Sequence, residues 1–373
     1  MKTKKKITYF FLHGRLNRIN SRKPFPVEMF YGYHHLKQKF LDVSIIEAKP
    51  TLIRTFIQNN VEHKIGHVLK IPILFSYFTS VKNYFLTRKS DILIFSNHRA
   101  LISTYPILVI NKFFGKSHIS IVFFMGLLSK FPSNRLLFKF KIFFINNILK
   151  FSNKVYFLNK SELEKANELF PQFKNVFEYY PFSVDTDFWQ NKNLNKSNDI
   201  LFIGNDGQRD FDTVIDLVNK LNSNSFVIVS KFIDKNKIQN NNCTVIEGSW
   251  DDNFLSDLDI LELYNKSKIT ILPLKDSLQP SGQSVALQSM ACGTPVLITK
   301  TKGFWDYKNF IDSKNIFFIS ENKINNWIDK IYFILNLSSD EYNNFSNNCE
   351  AIVKKRHSME IINLKLENFI KSI

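Results

Sequence analysis

The chain has 373 residues, enough for two to three domains at about 150 residues each. Hydrophobic residues make up 44%, which excludes a disordered or low-complexity chain. Lys+Arg number 50 and Asp+Glu 33, a formal charge of +17. Phe is abundant at 38, whereas Gly and Pro are scarce at 11 each. Phe, Asn, Lys and Ile replace chemical neighbours throughout the chain, so Phe alone has little diagnostic value.

The first apolar run, ITYFFL at 7–12, follows a basic start and is too short for the core of a secretory leader. It reads as a first β-strand. A polar loop, HGRLNRINSRKPFP, leads to a helix over about 27–40, and VSIIEA at 43–48 reads as the next strand. Strand, loop, helix and strand open a parallel α/β unit. DILIFSN (91–97), SHISIVFF (117–124) and KVYFLN (154–159) continue it, with helical stretches between. Residues 161–170, SELEKANELF, read as a helix capped by Ser161 with Glu164 three residues on. No run approaches the roughly 20 apolar residues that span a bilayer.

QNKNLNKSN, at 190–198, is polar and reads as a linker. The α/β pattern then restarts: DILFIG (199–204), a helix over 211–221, SFVIVS (225–230), TVIEG (244–248), ITILPL (269–274) and TPVLIT (294–299). The last segment, 346–370, is helical. We expect an N-terminal α/β domain over 1–190, a second over 191–345, and a helical segment over 346–373 that packs back on the first.

Charge is divided unevenly. Residues 1–190 carry 29 Lys/Arg and 11 Asp/Glu, whereas residues 191–373 carry 21 and 22. The basic residues interleave with apolar ones at 70–89 and 130–151, a pattern that suits an anionic membrane surface or, alternatively, core helices with solvated lysines. No helix-turn-helix, zinc-finger or RNP-type motif supports a nucleic-acid partner. Cys243, Cys292 and Cys349 form neither a CxxC pair nor a Cys/His cluster, so no disulfide framework or metal site is expected, and a reducing cytoplasm fits.

Two loops carry chemistry. In LFIGNDGQRD (201–210) an apolar strand ends at Gly204 and a helix starts near Asp210. Such a turn presents backbone N–H groups and a helix dipole to a phosphate, with Asn205 and Arg209 beside it. Lys231, after the strand SFVIVS, faces the same edge. The absence of GxGxxG and of a Walker lysine disfavours nicotinamide dinucleotides and P-loop chemistry. In LPLKDSLQPSGQSVALQSMACGTPVLIT (272–299), Ser281, Gly282, Gln283 and Ser284 gather donors at a helix N-terminus, and Gln288 lies one turn further in.

This second stretch resembles the nucleotide-sugar-binding segment of GT-B glycosyltransferases, near family 4, whose pattern there is a helix of the form EAMAxG followed by PVI. QSMACGTPVLIT matches it. YYPFSVDTDFW (179–189) is similar to the family phrase PxGVDxxxF, and ILFIGND and EGSW (247–250) followed by LDILELYNKSKITILPL fall in family order; the matching phrases span about 154–310. The resemblance implies two facing Rossmann-like domains with a cleft between them. The second would bind a nucleoside diphosphate sugar, and the basic first half a glycan or lipid-linked acceptor. It implies glycosyl transfer in cell-envelope or exopolysaccharide synthesis, with no metal because fixed charges and helix termini stabilise the leaving diphosphate. Many retaining members carry two glutamates separated by seven residues here. In this chain those positions are Pro280 and Gln288, so the sugar contact would pass to Asp276 or Gln283, and Gln288 would bond a ribose hydroxyl.

In the first half, His98 and Arg99 (SNHRA) and His13 with Arg15 follow strands, where open α/β sheets bind ligands. His98 or His13 is the candidate base, and Arg15, Glu28 and Arg99 are candidate acceptor contacts. Two alternative functions are a nucleotide-sugar epimerase of GT-B fold and a non-catalytic descendant that binds sugar or lipid.

Overall fold

The computed structural model describes residues 5–40, 42–248 and 255–373. The residues Ser249 and Trp250 of the expected EGSW phrase lie outside this range. The chain forms two compact units, and the division is discontinuous in sequence. Unit 1 comprises residues 1–22, 30–180 and 366–373; unit 2 comprises 23–29 and 181–365.

Unit 1 is built on six strands: β1 (Ile7–Phe11), β2 (Val43–Glu47), β3 (Ile92–Phe95), β4 (Ile119–Phe124), β5 (Lys154–Phe157) and β6 (Phe177–Tyr179). Their order is β2-β1-β3-β4-β5-β6 and every pair is parallel. A parallel sheet is covered on both faces, which is why β3, β4 and β5 read as near-continuous apolar runs instead of alternating ones. Right-handed crossovers place the helices that follow β2, β3, β4 and β5 on one face. These are the helical run 52–69 with a π turn at Gln58–Glu62, the short helices Phe75–Phe78 and Val81–Lys89, and the longer His98–Phe113, Arg135–Leu149 and Lys160–Leu169. Phe10, Phe95, Val122, Phe124 and Phe157 meet Phe78, Leu101, Leu108, Ile145 and Ala166 in that core. Helix Tyr33–Lys39 and the final turns of the chain belong to the same unit: His35 Nε2 lies 2.6 Å from Glu367 Oε2, and Lys5 Nζ donates to the Ile370 carbonyl at 3.2 Å.

Unit 2 repeats the architecture with β7 (Asn198–Ile203), β8 (Phe226–Val229), β9 (Cys243–Ile246), β10 (Ser267–Leu272), β11 (Val296–Thr299) and β12 (Phe317–Ile319). The order β12-β11-β10-β7-β8-β9 is again all parallel.

Several local expectations are corrected. The helix expected over 27–40 is broken into a 3-10 turn, Glu28–Phe30, and a helix, Tyr33–Lys39, because Tyr31 and Gly32 take φ of 49° and 81°. Asn159, not Ser161, caps the next helix: its side chain accepts the Glu162 amide at 2.7 Å. The polar stretch 190–198 is no free linker, since Asn191 bonds Glu350, the Lys192 amide bonds Asn265, and Lys196 bonds Thr294. The C-terminal segment is two helices, Ser339–Arg356 and Met359–Ser372, separated at His357 and Ser358. There the buried His357 ring bonds the Phe182 carbonyl at 2.7 Å. The compact units therefore do not follow the expected limits 1–190, 191–345 and 346–373.

Candidate functional site

In both sheets the chain runs one way from its first strand and then the other. The crevice at such a reversal, beyond the carboxyl ends of the strands, is where open α/β sheets bind ligands. In unit 2 the reversal falls between β7 and β10. The loop after β7 carries Gly204, Asn205 and Arg209; the loop after β10 carries Ser281 and Gly282 and leads into helix Gln283–Ala291. The two loops are zipped together. The Asp210 amide donates to the Pro273 carbonyl at 3.0 Å, the Lys275 amide to Gln208 at 2.8 Å, and Arg209 bridges to Leu274. Gly204, Arg209 and Ser281–Ser284 thus share one sheet edge.

Arg209 is buried, at 3% exposure, yet its Nε has no hydrogen-bond acceptor. Its Nη1 faces Asp206 Oδ2 at 3.1 Å, an ion pair with a half-exposed carboxylate. Gly204 lies flat beneath the guanidinium: a Cβ there would come within 2.3 Å of Nε. Ser281 Oγ is also buried without a partner. Gly282 takes φ of 76° at the N-cap of helix Gln283–Ala291, a conformation that a side chain disfavours. The Arg209 Nε and the Ser281 Oγ are thus two buried, unpartnered polar atoms at one sheet edge, where a ligand oxygen could pair with each.

Other expected contacts are spent within the protein. The Asn205 side chain ties the β7 loop to Gly248 (2.7 Å) and to the Lys231 amide (2.8 Å), which fixes the loop instead of reaching outward. The Lys231 side chain is exposed. Asp276, expected as a sugar contact, is held by the Lys302 amide at 2.8 Å and the Lys302 ammonium at 3.3 Å.

Gln288 is corrected more deeply. Its Nε2 donates to Glu28 Oε1 at 2.8 Å, and its Oε1 accepts the Tyr264 hydroxyl at 3.1 Å. Glu28, expected among the acceptor contacts of the first half, folds instead into unit 2. It is 2% exposed and accepts Trp189 Nε1 on the same oxygen at 2.8 Å. The Asp185 amide approaches its other oxygen at 3.3 Å. Burial raises its pKa to about 7; the Trp189 and Gln288 hydrogen bonds oppose that rise. A carboxyl group thus stands beside the position where the family pattern has its second glutamate, supplied from 260 residues away.

In unit 1 the reversal falls between β1 and β3. His13, Gly14 and Arg15 follow β1; Asn97, His98 and Arg99 follow β3. Glu47, at the end of β2, accepts the Arg15 and Leu16 amides and holds the first loop. His13 and Arg99 are exposed and Arg15 is half-buried. His98 is buried, and its Nδ1 accepts the Met125 amide at 3.4 Å. Burial, aided by the positive Arg99 and Lys141, depresses its pKa well below the usual histidine range. The ring is therefore neutral, with its proton on Nε2. In this tautomer Nδ1 is occupied by the Met125 amide and Nε2–H is a hydrogen-bond donor.

A clamp that the sequence did not reveal holds the loop opposite His98. Glu162 accepts the Gly126 amide at 2.7 Å and the Leu128 amide at 3.0 Å. Lys141, read in the sequence as one of several solvated or lipid-facing lysines, is buried, and its ammonium donates to the carbonyls of Lys70, Leu127 and Lys130. Burial moves both pKa values toward neutrality, Glu162 up to about 7 and Lys141 down to about 8.

Residues 183–351 match the family model for glycosyl transferases group 1. This segment is a group 1 glycosyltransferase domain. The group 1 domain contains Arg209, Ser281–Ser284 and Gln288, while Glu28 reaches it from outside the matched range. No curated protein matches the chain in sequence. Among solved structures, HepE from Anabaena, in complex with UDP, is 14% identical with a TM-score of 0.67, over 99% of this chain and 100% of that one. Sucrose-phosphate synthase from Thermosynechococcus elongatus is 12% identical with a TM-score of 0.69, over 99% of both chains. A glycosyltransferase from Rickettsia africae is 14% identical with a TM-score of 0.63, over 98% of both. The fold is thus that of GT-B glycosyltransferases. The match of residues 183–351 to the group 1 model supports a glycosyltransferase.

Proposed function

We propose that the group 1 domain binds a nucleoside diphosphate sugar, and that the enzyme moves the sugar to a glycan or lipid-linked acceptor. One observation carries the donor reading: the buried Arg209 guanidinium, with an unpartnered Nε, at a strand-end glycine beside the orphaned Ser281 hydroxyl. A diphosphate supplies acceptor oxygens for both, and for the amides that open helix Gln283–Ala291. In the reaction the bond from the anomeric carbon to the diphosphate oxygen breaks, and a bond to an acceptor hydroxyl oxygen forms. The diphosphate takes up the electron pair, and the proton of the acceptor hydroxyl passes to the departing diphosphate oxygen. Arg209 and the helix terminus stabilise that charge, so no divalent metal is required. Gln283, Ser284 and the Lys231 ammonium complete the donor side in this reading. Gln288 contributes through its link to Glu28 and not as a free ribose contact.

On the acceptor side we assign Arg15, Arg99 and His13, with His98 as a hydrogen-bond donor. The setting we propose is a cytoplasmic step of cell-envelope or exopolysaccharide synthesis, at the inner membrane face. The three cysteines stand unpaired, which suits a reducing compartment. Since HepE is described in complex with UDP-glucose, uridine donors head the list to be tried.

A panel of UDP, GDP, ADP and CMP sugars in thermal unfolding tests the reading. A ligand at 100 times its Kd stabilises by about 2.7 kcal/mol. Arg209→Ala should abolish most of the response, and an unchanged response removes Arg209 from the site. A second reading, a non-catalytic binding protein, is favoured by Pro280 and Gln288 at the two glutamate positions. Slow donor hydrolysis without acceptor would rule it out, and product analysis with donor alone would expose an epimerase.

A further inference from the structure

The outer surface of the helical layer on unit 1 is unusually apolar. Leu52 is 93% exposed, Phe113 84% and Leu136 76%, with Phe56, Val81 and Phe143 also exposed. They come from four of the helical segments that the right-handed crossovers place on one sheet face. On helix Arg135–Leu149, Leu136, Phe140 and Phe143 fall at i, i+4 and i+7, one stripe turned away from the buried Lys141. Single exposed apolar residues are ordinary, but a layer of them marks an interaction surface.

Its charge identifies the partner. Residues 51–151 contain 14 Lys/Arg and only 2 Asp/Glu. Of those two, Glu62 is buried and accepts the Ser76 amide and hydroxyl. Asp91 stands just before β3 and pairs with Lys116 at 3.5 Å. Lys64, Lys82, Lys112 and Lys139 are exposed among the apolar side chains. A second copy of the same face would bring like charges together, and a nucleic acid would leave the apolar rings without a partner. An anionic bilayer satisfies both features: acyl chains receive the apolar side chains, and lipid phosphates receive the ammonium groups. No described helix is long and apolar enough to cross a membrane, so the contact is with the surface.

We propose that the outer helical layer of unit 1, formed by the run 52–69 and the helices Val81–Lys89, His98–Phe113 and Arg135–Leu149, docks on an anionic lipid bilayer. This deepens the acceptor side of the proposed function. The test needs no turnover, so it can fail while the donor reading stands.

The full-length protein is sedimented with vesicles of phosphatidylcholine alone or of phosphatidylcholine with phosphatidylglycerol. Binding to the anionic vesicles should exceed binding to the neutral ones at least about tenfold, and should weaken with salt. Leu136→Ser with Phe143→Ser should lower it about tenfold, and Lys64→Glu with Lys139→Glu should remove the preference for anionic lipid. All four positions are exposed, and an unchanged unfolding midpoint verifies that each variant folds. Wild-type protein that stays in the supernatant with both vesicles overturns the proposal. So does binding that neither double variant weakens. A dimer in sedimentation velocity that the Leu136→Ser, Phe143→Ser variant dissolves would assign the face to a second copy instead.

Discussion

Glu28 Oε1 lies 2.8 Å from Gln288 Nε2, although 260 residues separate the two in sequence. The same oxygen takes the Trp189 indole N–H at 2.8 Å, so one carboxyl group organises three segments of unit 2. The group 1 domain thus has a carboxyl beside the helix that follows Gly282, but it comes from the segment 23–29 and not from the helix itself.

That carboxyl should impose a pH dependence on stability. Burial raises its pKa from 4.5 to about 7, so between those values the folded state holds a proton that the unfolded state releases. Stability from Glu28 is therefore greatest at low pH and is lost as pH rises through the window, by up to about 1.4 kcal/mol per pH unit. Glu28→Gln keeps an acceptor for Trp189 and Gln288 and removes the titration. Thermal unfolding of the two proteins should agree near pH 5 and diverge by pH 8, with the variant more stable. Curves that stay parallel would place the Glu28 carboxyl in an ordinary environment.

Gly204→Ala should act through Arg209. Its methyl group would enter the space that the guanidinium occupies, with Nε only 2.3 Å away. Hydrogen bonds to charged groups are worth about 1.5–3 kcal/mol, so displacing this one should weaken nucleoside diphosphate binding roughly 10- to 150-fold. Calorimetric titration of Gly204→Ala and Arg209→Lys measures it. The lysine variant should also bind poorly, because a point charge cannot reproduce the guanidinium fork.

The neutral state of His98 has a kinetic consequence. With its pKa well below the usual range, it contributes no ionisation to the transfer rate between pH 6 and 8. His98→Asn should therefore run parallel to wild type over that range, at a reduced rate. A histidine-like inflection near pH 6.5 that vanishes in His98→Asn would restore His98 as a base.

Lys141→Met should destabilise unit 1. It strands the carbonyls of Lys70, Leu127 and Lys130 and deprives the buried Glu162 of a nearby cation. Removing one member of a buried charged arrangement typically costs about 3–5 kcal/mol. Proteolysis should then cut first in the segment 125–130, and mass spectrometry of the fragments would locate the cut.

Much of this was legible in the sequence. The strands follow from short apolar runs that end in polar residues, as in ILIF before Ser96 or VLIT before Lys300. Gly204 and Gly282 mark turns with steric demands, so the sheet edge that carries both loops could be placed by pattern. What escaped depends on distance or on competition. Nothing near Glu28 announces that it belongs with Trp189 and Gln288. Asn159 and Ser161 are both good caps; Asn159 prevails and leaves the Glu162 side chain to bond the Gly126 and Leu128 amides. Lys141 looks in sequence like its exposed neighbour Lys139, and only three converging carbonyls distinguish it.

The discontinuous division of the chain bears on biosynthesis. Residues 23–29 leave the ribosome about 150 residues ahead of the remainder of unit 2, and residues 366–373 emerge long after the remainder of unit 1. Unit 2 cannot close until residues 181–365 have joined 23–29, and unit 1 cannot close until residues 366–373 have been made. Cutting the gene at the apparent midpoint would give one product without its terminal helix and another without Glu28.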